Sequence, residues 1–142
     1  MQTEALRNLV AKIQHLQCEM QTVELKAANK GCPTRLYDTL SGFANQDEGG
    51  IIVFGIDESK NFNLVGVYDV QDLQKKVTEQ CNQMSPCVRA LFTVCEIDDK
   101  VVVSAEIPGL DVAERPCFYR GAGRLKGAYI RVGDADEPMS EY

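Results

Sequence analysis

The chain has 142 residues, of which 44% are hydrophobic and 25% are charged, fractions close to the average for soluble globular domains. Its net charge of −6 argues against a strongly basic nucleic-acid-binding protein. No apolar run approaches the roughly 20 residues that span a bilayer, and the N-terminus lacks the apolar segment of a signal peptide. We therefore expect one domain, residues 1–142, located in the cytoplasm and without a membrane partner.

The cysteines do not form a metal-binding pattern. Six are present, but no two are spaced as CxxC, and His15 is the only histidine. A structural zinc site usually needs closely spaced pairs of ligands. We expect reduced and mostly buried thiols, because cysteine outside such sites behaves as a small hydrophobic residue.

The first half of the chain alternates helical and strand patterns. Apolar residues recur at helical spacing over residues 3–18, with Thr3 as a candidate N-cap. Residues 20–28 alternate between polar and apolar side chains, which predicts a strand. Residues 34–46 predict a second helix, with Thr34 as a candidate cap, and the apolar run at 50–56 predicts a buried strand.

The second half predicts one further helix among short strands. The helix covers residues 69–83, with Asp69 as its N-cap. The predicted strands cover residues 62–67, 89–97, 101–107, 117–121 and 127–132. We expect the first of these to form a hairpin with residues 50–56, and the second and third to form a hairpin closed by Asp98-Asp99-Lys100. This order predicts an α+β (mixed α/β) domain with a central mixed β-sheet and about three helices.

The joint between the second helix and the buried strand stands out. Residues 42–57 read GFANQDEGGIIVFGID, so a helix passes through a short acidic turn and two glycines into an apolar strand. The pair Gly49-Gly50 suggests backbone with a positive φ, or a close approach by another group. Asn45 tolerates the left-handed conformation at a helix end. Such a joint is either a tight connection or the support of a site at the end of the strand.

Several motifs, taken in order, resemble a known family. The motifs are Glu24-Leu25-Lys26, Gly42-Phe43-Ala44-Asn45 with Gly49-Gly50, Gly55-Ile56-Asp57, Val65-Gly66 and Tyr129-Ile130-Arg131-Val132-Gly133. Over roughly residues 17–139 they resemble the Alba-like domain of Schlafen proteins. The same domain occurs in many bacterial proteins assigned as transcriptional regulators, some of them described as helicase-related or as divergent ATPases. The chain departs from the usual pattern at Gly42, where alanine is commoner, and by one extra residue before Gly49-Gly50.

The resemblance implies an Alba-like core in which Asn45 caps the helix and Gly49-Gly50 turn the chain into a central strand. That strand would deliver Asp57 to the end of the sheet. Family members usually continue beyond this domain, so we expect the N-terminal part of a longer regulator, with the missing C-terminal domain of the same protein as a partner. No nucleotide hydrolysis is expected, because the chain lacks GxxxxGK[ST].

The resemblance also implies a candidate catalytic set, which consists of Glu19, Glu24, Lys26 and Asp57. In some Schlafen-type members with a similar E-x4-E-x-K arrangement, the acids carry metal-dependent RNA cleavage. Here Glu19, Glu24 and Asp57 would hold Mg²⁺ or Mn²⁺, which activates water and offsets phosphate charge. Lys26 could contact the phosphate. Glu58 is a near alternative to Asp57.

The same residues also fit a structural interpretation. Glu24 and Lys26 lie two apart on a strand, so they share a face and can form an ordinary ion pair. Asp57 can simply begin a turn, where aspartate is favoured. A regular strand would place Glu19 and Glu24 on opposite faces. They converge only if Glu19 belongs to the preceding helix end, or if a bulge intervenes.

A locally basic segment lies inside the acidic chain, between residues 115 and 133. The candidate nucleic-acid-binding residues in it are Arg115, Arg120, Arg124, Lys126 and Arg131. They form either a solvated face or a phosphate-contacting surface, with Tyr119 and Tyr129 available to stack on bases. The loop RGAGRLKG is flexible and basic, which suits binding to the nucleic-acid backbone without sequence readout.

These observations lead to one expected function and two alternatives. The expected function is a nucleic-acid-binding module of a bacterial transcriptional regulator, with DNA or RNA as its partner. The first alternative is a metal-dependent ribonuclease that uses the acidic residues. The second is a protein-interaction or oligomerisation domain, in which the hydrophobic hairpin at residues 89–107 supplies the surface of a homodimer.

Overall fold

The structure is a computed structural model that describes residues 1–139. Its helices are α1 (Thr3–Leu16), α2 (Tyr37–Ala44), α3 (Val70–Asn82) and α4 (Gly123–Gly127). Its longer strands are β1 (Val23–Lys26), β2 (Gly50–Phe54), β6 (Leu91–Ile97), β7 (Lys100–Ile107), β9 (Tyr129–Val132) and β10 (Ala135–Pro138). Its two-residue strands are β3 (Ile56–Asp57), β4 (Asn63–Leu64), β5 (Met84–Ser85) and β8 (Phe118–Tyr119). The expected α+β class with a mixed sheet is confirmed.

A four-stranded sheet in the order β1-β2-β7-β6 forms the centre. The pair β1–β2 is parallel, with α2 in the connection between the two strands, and the other two pairs are antiparallel. Successive residues of β2 point to opposite faces, so Val53 packs with α1 on one side while Ile52 and Phe54 pack with α2 and α3 on the other. Both faces are therefore covered, which explains the nearly continuous apolar run in β2.

One predicted hairpin is correct and one is wrong. Strands β6 and β7 pair antiparallel, and Asp98 and Asp99 both have a positive φ, as a two-residue hairpin turn requires. The expected pairing of residues 50–56 with 62–67 is reduced to two residues in β3 and β4. Gly55, at a φ of 112°, ends β2 before that point, and β2 pairs with β1 and β7 instead.

The outer edge of β6 is partly covered by α1. Thr3 Oγ donates a hydrogen bond to the carbonyl of Val94 at 3.4 Å, and Arg7 Nη2 donates to the carbonyl of Glu96 at 3.0 Å. These carbonyls are the groups through which another strand would pair with this edge. The apolar side chains of Leu91 and Val94 nevertheless stay exposed.

Asn45 is the C-terminal cap of α2, as expected, but the N-terminal cap differs from the prediction. The helix begins at Tyr37, and the backbone N–H of Leu36 before it donates to Gln80 Oε1 of α3 at 2.8 Å, so Thr34 is not the cap. At the other end Asn45 has a φ of −89°, and the left-handed conformation expected there is not adopted.

Asn45 instead uses its side-chain amide to join α2 to two later strands. Its Oδ1 accepts from the backbone N–H of Cys117 at 2.7 Å, while its Nδ2 donates to the carbonyls of Cys117 at 3.1 Å and Tyr129 at 2.9 Å. Ser41 Oγ, one turn earlier, accepts from the N–H of Tyr129 at 2.8 Å. These buried polar groups are thus satisfied by one another.

Glycine is needed at the two positions of the joint for different reasons. Gly49 has a φ of 65°, and a Cβ built there would lie 2.1 Å from the carbonyl oxygen of Ile107. A Cβ at Gly50 would lie 2.3 Å from the ring of Phe43. The joint therefore needs a left-handed residue first and then a close approach between β2 and α2.

The segment expected to be a flexible loop contains a short helix. Residues Gly123–Gly127 form α4, which packs on β8 and α2. Its last residue, Gly127, lies against the backbone of Tyr119, where a Cβ would come 2.6 Å from the carbonyl oxygen. Three of the six cysteines, Cys81, Cys95 and Cys117, are buried. No helix within residues 1–139 has the length and apolar character needed to cross a membrane.

The Asn45 junction can be tested by a stability measurement. We expect Asn45→Ala to lower the free energy of unfolding by about 2–3 kcal/mol, because the buried N–H of Cys117 and the oxygen partners of Nδ2 lose their hydrogen bonds. Urea denaturation gives this value directly. Asn8→Ala, at an exposed position on α1, is the control. A loss in Asn45→Ala no larger than in the control would contradict the junction.

Candidate functional site: a buried arginine cluster and a basic surface

Arg131, predicted as a nucleic-acid contact, lies in the interior. Its side chain is fully buried, and its Nη1 lies 3.0 Å from Glu24 Oε1 and 3.4 Å from Asp136 Oδ2. Its Nη2 lies 3.6 Å from Glu19 Oε2. The prediction for Arg131 is therefore wrong, because a guanidinium enclosed by carboxylates cannot reach a phosphate in solution.

The remaining donors of Arg131 are also used. Nε donates to the carbonyl of Gln21 at 3.2 Å, and Nη2 donates to the carbonyl of Val23 at 2.9 Å. The guanidinium carbon lies 5.0 Å from the centre of the Phe43 ring, a cation–π distance. We call Arg131 with Glu19, Glu24 and Asp136 the Arg131 cluster; it connects β9 to β1, β10, α2 and the loop before β1.

Glu19 and Glu24 do converge, as the catalytic hypothesis required. The reason is that α1 ends at Leu16 and Gln17 turns left-handed, so Glu19 lies in the loop before β1 and not on the strand. Glu19 Oε2 accepts a hydrogen bond from the backbone N–H of Leu25 at 3.3 Å. Lys26 Nζ lies 3.4 Å from Glu24 Oε2, which is the ion pair of the structural interpretation.

The Arg131 cluster holds more acids than bases. Burial raises the pKa of Glu19 to about 9, helped by hydrogen bonding to the carboxyl groups of Glu58 and Glu24. Burial also raises the pKa of Asp136, although Arg131 and the hydroxyl of Thr39 oppose that shift. A proton on Glu19 reduces the repulsion between neighbouring carboxylates, and it lets one guanidinium serve three acids.

The expected metal set does not assemble. Asp57 Oδ1 accepts hydrogen bonds from the backbone N–H of Ser59 at 3.0 Å and from its hydroxyl at 2.6 Å, so Asp57 caps a short turn. Glu58, the near alternative to Asp57, does neighbour Glu19. Within residues 1–139, no three Asp, Glu, His or Cys side chains are arranged to hold a metal ion. Glu19 and Glu24 face a guanidinium, so these residues do not fit a Mg²⁺ or Mn²⁺ site.

Gly42, one departure from the family pattern, belongs to this cluster. A Cβ at Gly42 would lie 2.5 Å from Asp136 Oδ1. That oxygen is buried without a hydrogen-bond partner in the described part of the chain, while Oδ2 accepts from Thr39 Oγ at 3.0 Å. The absence of a Cβ at Gly42 therefore leaves room for the carboxyl group of Asp136.

The other basic residues of the segment have three different environments. Arg115 is half-buried, with Nη2 2.8 Å from Asp47 Oδ1 and Nε donating to the carbonyl of Leu110. Arg120 is exposed and donates to the carbonyls of Asn82 and Gln83 at the C-terminus of α3, a favourable place for a cation. Both therefore have structural partners.

Arg124 and Lys126 lie on α4 and differ from the rest. Both are exposed, and neither forms an ion pair with any residue between 1 and 139. Arg124 also borders an open groove of ≈ 390 Å³, together with Ser85 of β5 and Phe118 of β8. We call the exposed cations Arg120, Arg124 and Lys126 the α4 surface.

An aromatic stack lies beside the α4 surface. The rings of Tyr37 and Tyr119 are parallel to within 10° with centroids 4.1 Å apart, and the guanidinium carbon of Arg35 lies 5.1 Å from the centre of the Tyr37 ring. The backbone at Gly121 lies against the Tyr119 ring. Tyr119 was expected to be free to stack on bases, but Tyr37 already covers one of its faces. Arg35, outside the basic segment of the sequence, was missed because nothing local indicates its contact with Tyr37 and Tyr129.

The Arg131 cluster predicts a large effect from removal of its cation. We expect Arg131→Met to lower the free energy of unfolding by about 3–5 kcal/mol at pH 7, because it leaves the buried Asp136 without its only ion-pair partner within residues 1–139 and removes the donor to Glu24 Oε1. The loss should be smaller at pH 5, because burial raises the pKa of Asp136 and the variant lacks the guanidinium that opposes this shift. Urea denaturation at both pH values measures this. Arg7→Met, which removes an exposed pair with Glu4, should change stability by less than about 1 kcal/mol; equal losses in the two variants would contradict the cluster.

The raised pKa of Glu19 predicts a pH dependence with a definite sign. The unfolded chain releases this proton near its ordinary pKa of 4.5, whereas the folded chain keeps it up to about 9. The folded state holds more protons in that window, so the stability supplied by Glu19 falls as the pH rises through it. We expect the melting temperature of Glu19→Gln to exceed that of the parent by an amount that grows from pH 5 to pH 9. Glu48→Gln, the same substitution at an exposed position, is the control, and a constant difference for Glu19→Gln would refute the assignment.

Of three comparisons with known proteins, two find matches, one to solved structures and one to a family profile. No curated protein is a match. Among solved structures, the N-terminal domain of a protein related to the ATP-dependent DNA helicase RecG, from Nitrosomonas europaea, is similar at a TM-score of 0.70 and 23% identity, over 95% of this chain and 93% of that one. The DIP2311 protein from Corynebacterium diphtheriae is similar at a TM-score of 0.59 and 16% identity, over 96% of this chain, which spans only 30% of that protein. At these identities the two likenesses show the fold.

The family follows from the sequence profile of the Schlafen AlbA_2 domain, described as "Schlafen, AlbA_2", which matches residues 19–140. That match covers the Arg131 cluster, the Gly49-Gly50 joint and the α4 surface, and it confirms the resemblance noted in the sequence. The chain belongs to the Schlafen AlbA_2 family.

Proposed function

We propose that this domain is a nucleic-acid-binding module of a regulatory protein, with DNA as its expected partner, and that the α4 surface contacts the phosphate backbone. The observation that carries the proposal is the pair Arg124 and Lys126. They are exposed cations, without an ion-pair partner in residues 1–139, in a protein whose net charge is −6. Cations left unpaired in an acidic protein are available to displace the counterions of a phosphate backbone.

The geometry around Arg124 favours a phosphate. The groove it borders is also lined by Ser85 and Arg115. Glu114 lines the same groove, and its carboxyl group disfavours a ligand of high negative charge. A groove lined by both acidic and basic residues suits contact with a single phosphate better than contact with a continuous stretch of duplex. We therefore expect weak and strongly salt-dependent binding.

The ribonuclease alternative has less support in this arrangement. Its acids Glu19 and Glu24 face Arg131, and its third acid, Asp57, caps a turn. The neighbour from Nitrosomonas europaea is named after a DNA helicase. That name belongs to the other protein, but it is consistent with a nucleic-acid context for this fold.

The proposal predicts a specific loss of binding. Labelled DNA and RNA, single- and double-stranded, are titrated by fluorescence anisotropy at several salt concentrations, with and without Mn²⁺, and the probes are checked on a gel. We expect Arg124→Ala/Lys126→Ala to weaken binding by roughly tenfold or more at low salt. It should also make the slope of log K against log salt shallower by about 2, since two phosphate contacts are lost.

The matched control removes two exposed cations elsewhere, Lys12→Ala/Lys60→Ala. Equal losses in both double variants would mean that only overall charge matters, and the α4 surface would be rejected. Absence of binding to every probe at low salt would reject the function itself. Shortened probe that depends on Mn²⁺ would favour the ribonuclease instead.

A further inference from the structure

Arg35 is held in an unusual way for an exposed arginine. Its side chain is 62% exposed, yet it lies over Tyr37, its Nη2 donates to Tyr129 Oη at 3.4 Å, and its Nε lies 4.0 Å from Asp38 Oδ2. An exposed arginine normally samples many rotamers. Here one side of the guanidinium rests on an aromatic ring, and its edge is directed by a phenol and a carboxylate.

The side of Arg35 that faces away from Tyr37 has no aromatic cover in the described chain. Below it, Tyr37 stacks on Tyr119, and Tyr119 contacts Gly121. The column therefore consists of Arg35, Tyr37 and Tyr119, with the guanidinium on top. A planar cation supported in this way offers one flat face to a ligand, and unpaired bases stack on such guanidinium planes in nucleic-acid complexes.

The column is continuous with the α4 surface. Tyr119 directly precedes Arg120, and Gly121 leads into α4 with Arg124 and Lys126. Helix α4 also contacts α2, which begins two residues after Arg35, so the column and the α4 surface adjoin.

We propose that Arg35 is a stacking site for one unpaired base and that the ligand of this domain is therefore single-stranded nucleic acid. This inference rests on the proposed function and names its substrate class. A base within a duplex has both faces covered by its neighbours, so it cannot use the platform. A single strand gains both the phosphate contacts and the stack, whereas a duplex gains the phosphate contacts alone.

The test compares two substitutions of Arg35. Arg35→Ala removes the charge and the plane, whereas Arg35→Lys keeps the charge and removes the plane. Lys12→Ala on α1, which packs on the opposite face of the sheet, is the control for loss of one charge. Probes are a single-stranded oligonucleotide with one 2-aminopurine and a duplex of equal length, measured by anisotropy and by 2-aminopurine fluorescence, after circular dichroism has confirmed folding.

We expect both Arg35 variants to weaken single-strand binding by roughly tenfold and to leave duplex binding within about twofold. Parent protein should quench 2-aminopurine, and Arg35→Lys should quench it much less. If Arg35→Lys binds and quenches like the parent, or if both variants weaken duplex and single strand equally, the stacking site is rejected. If Arg124→Ala/Lys126→Ala still weakens nucleic-acid binding in that case, the proposed function is retained. If the parent protein binds neither probe, both the stacking site and the proposed function are rejected.

Discussion

The guanidinium of Arg131 is the constraint on which the rest of this domain depends. A buried charge is tolerated only with counter-ions and hydrogen bonds around it, and here three acidic side chains, of which Glu19 keeps its proton, and two backbone carbonyls provide them. Those partners belong to the loop before β1, to β1 itself and to β10, while the ring of Phe43 brings in α2. Because one side chain must reach all of them, the C-terminal hairpin β9–β10 can dock in one place only.

The burial of Arg131 also gives a different interpretation of the E-x4-E-x-K motif, which consists of Glu19, Glu24 and Lys26. Its carboxylates are oriented toward a cation, as the catalytic hypothesis supposed, but the cation is a side chain of the protein. A buried ion pair adds little net stability compared with apolar packing, so we infer that this one serves to specify a unique arrangement. Gly42 fits this explanation: without a Cβ, α2 can approach Asp136 closely enough for β10 to join the cluster.

Elements with local patterns were predictable, and contacts between distant segments were not. The helices α1 and α3 and the β6–β7 hairpin follow from periodicity and turn residues. Arg131 lies between Ile130 and Val132, and alternation alone would place the apolar pair inside. The structure does the reverse, with Ile130 38% and Val132 54% exposed. The most distant partner that stabilises Arg131 in the interior is Glu19, which lies 112 residues earlier in the chain. No local rule connects residues so far apart in sequence.

Strand β9 links the two sites, and this decides how variants should be interpreted. Arg131 points into the cluster, whereas Tyr129 on the same strand receives the hydrogen bond from Arg35, and its backbone is held by Ser41 and Asn45. A substitution at Arg131 that releases β9 would therefore also release the support of Arg35. Weaker nucleic-acid binding in an Arg131 variant would follow from a misplaced strand as readily as from a lost phosphate contact. Only residues whose removal leaves β9 in place, such as Arg124 and Lys126, can identify the binding surface.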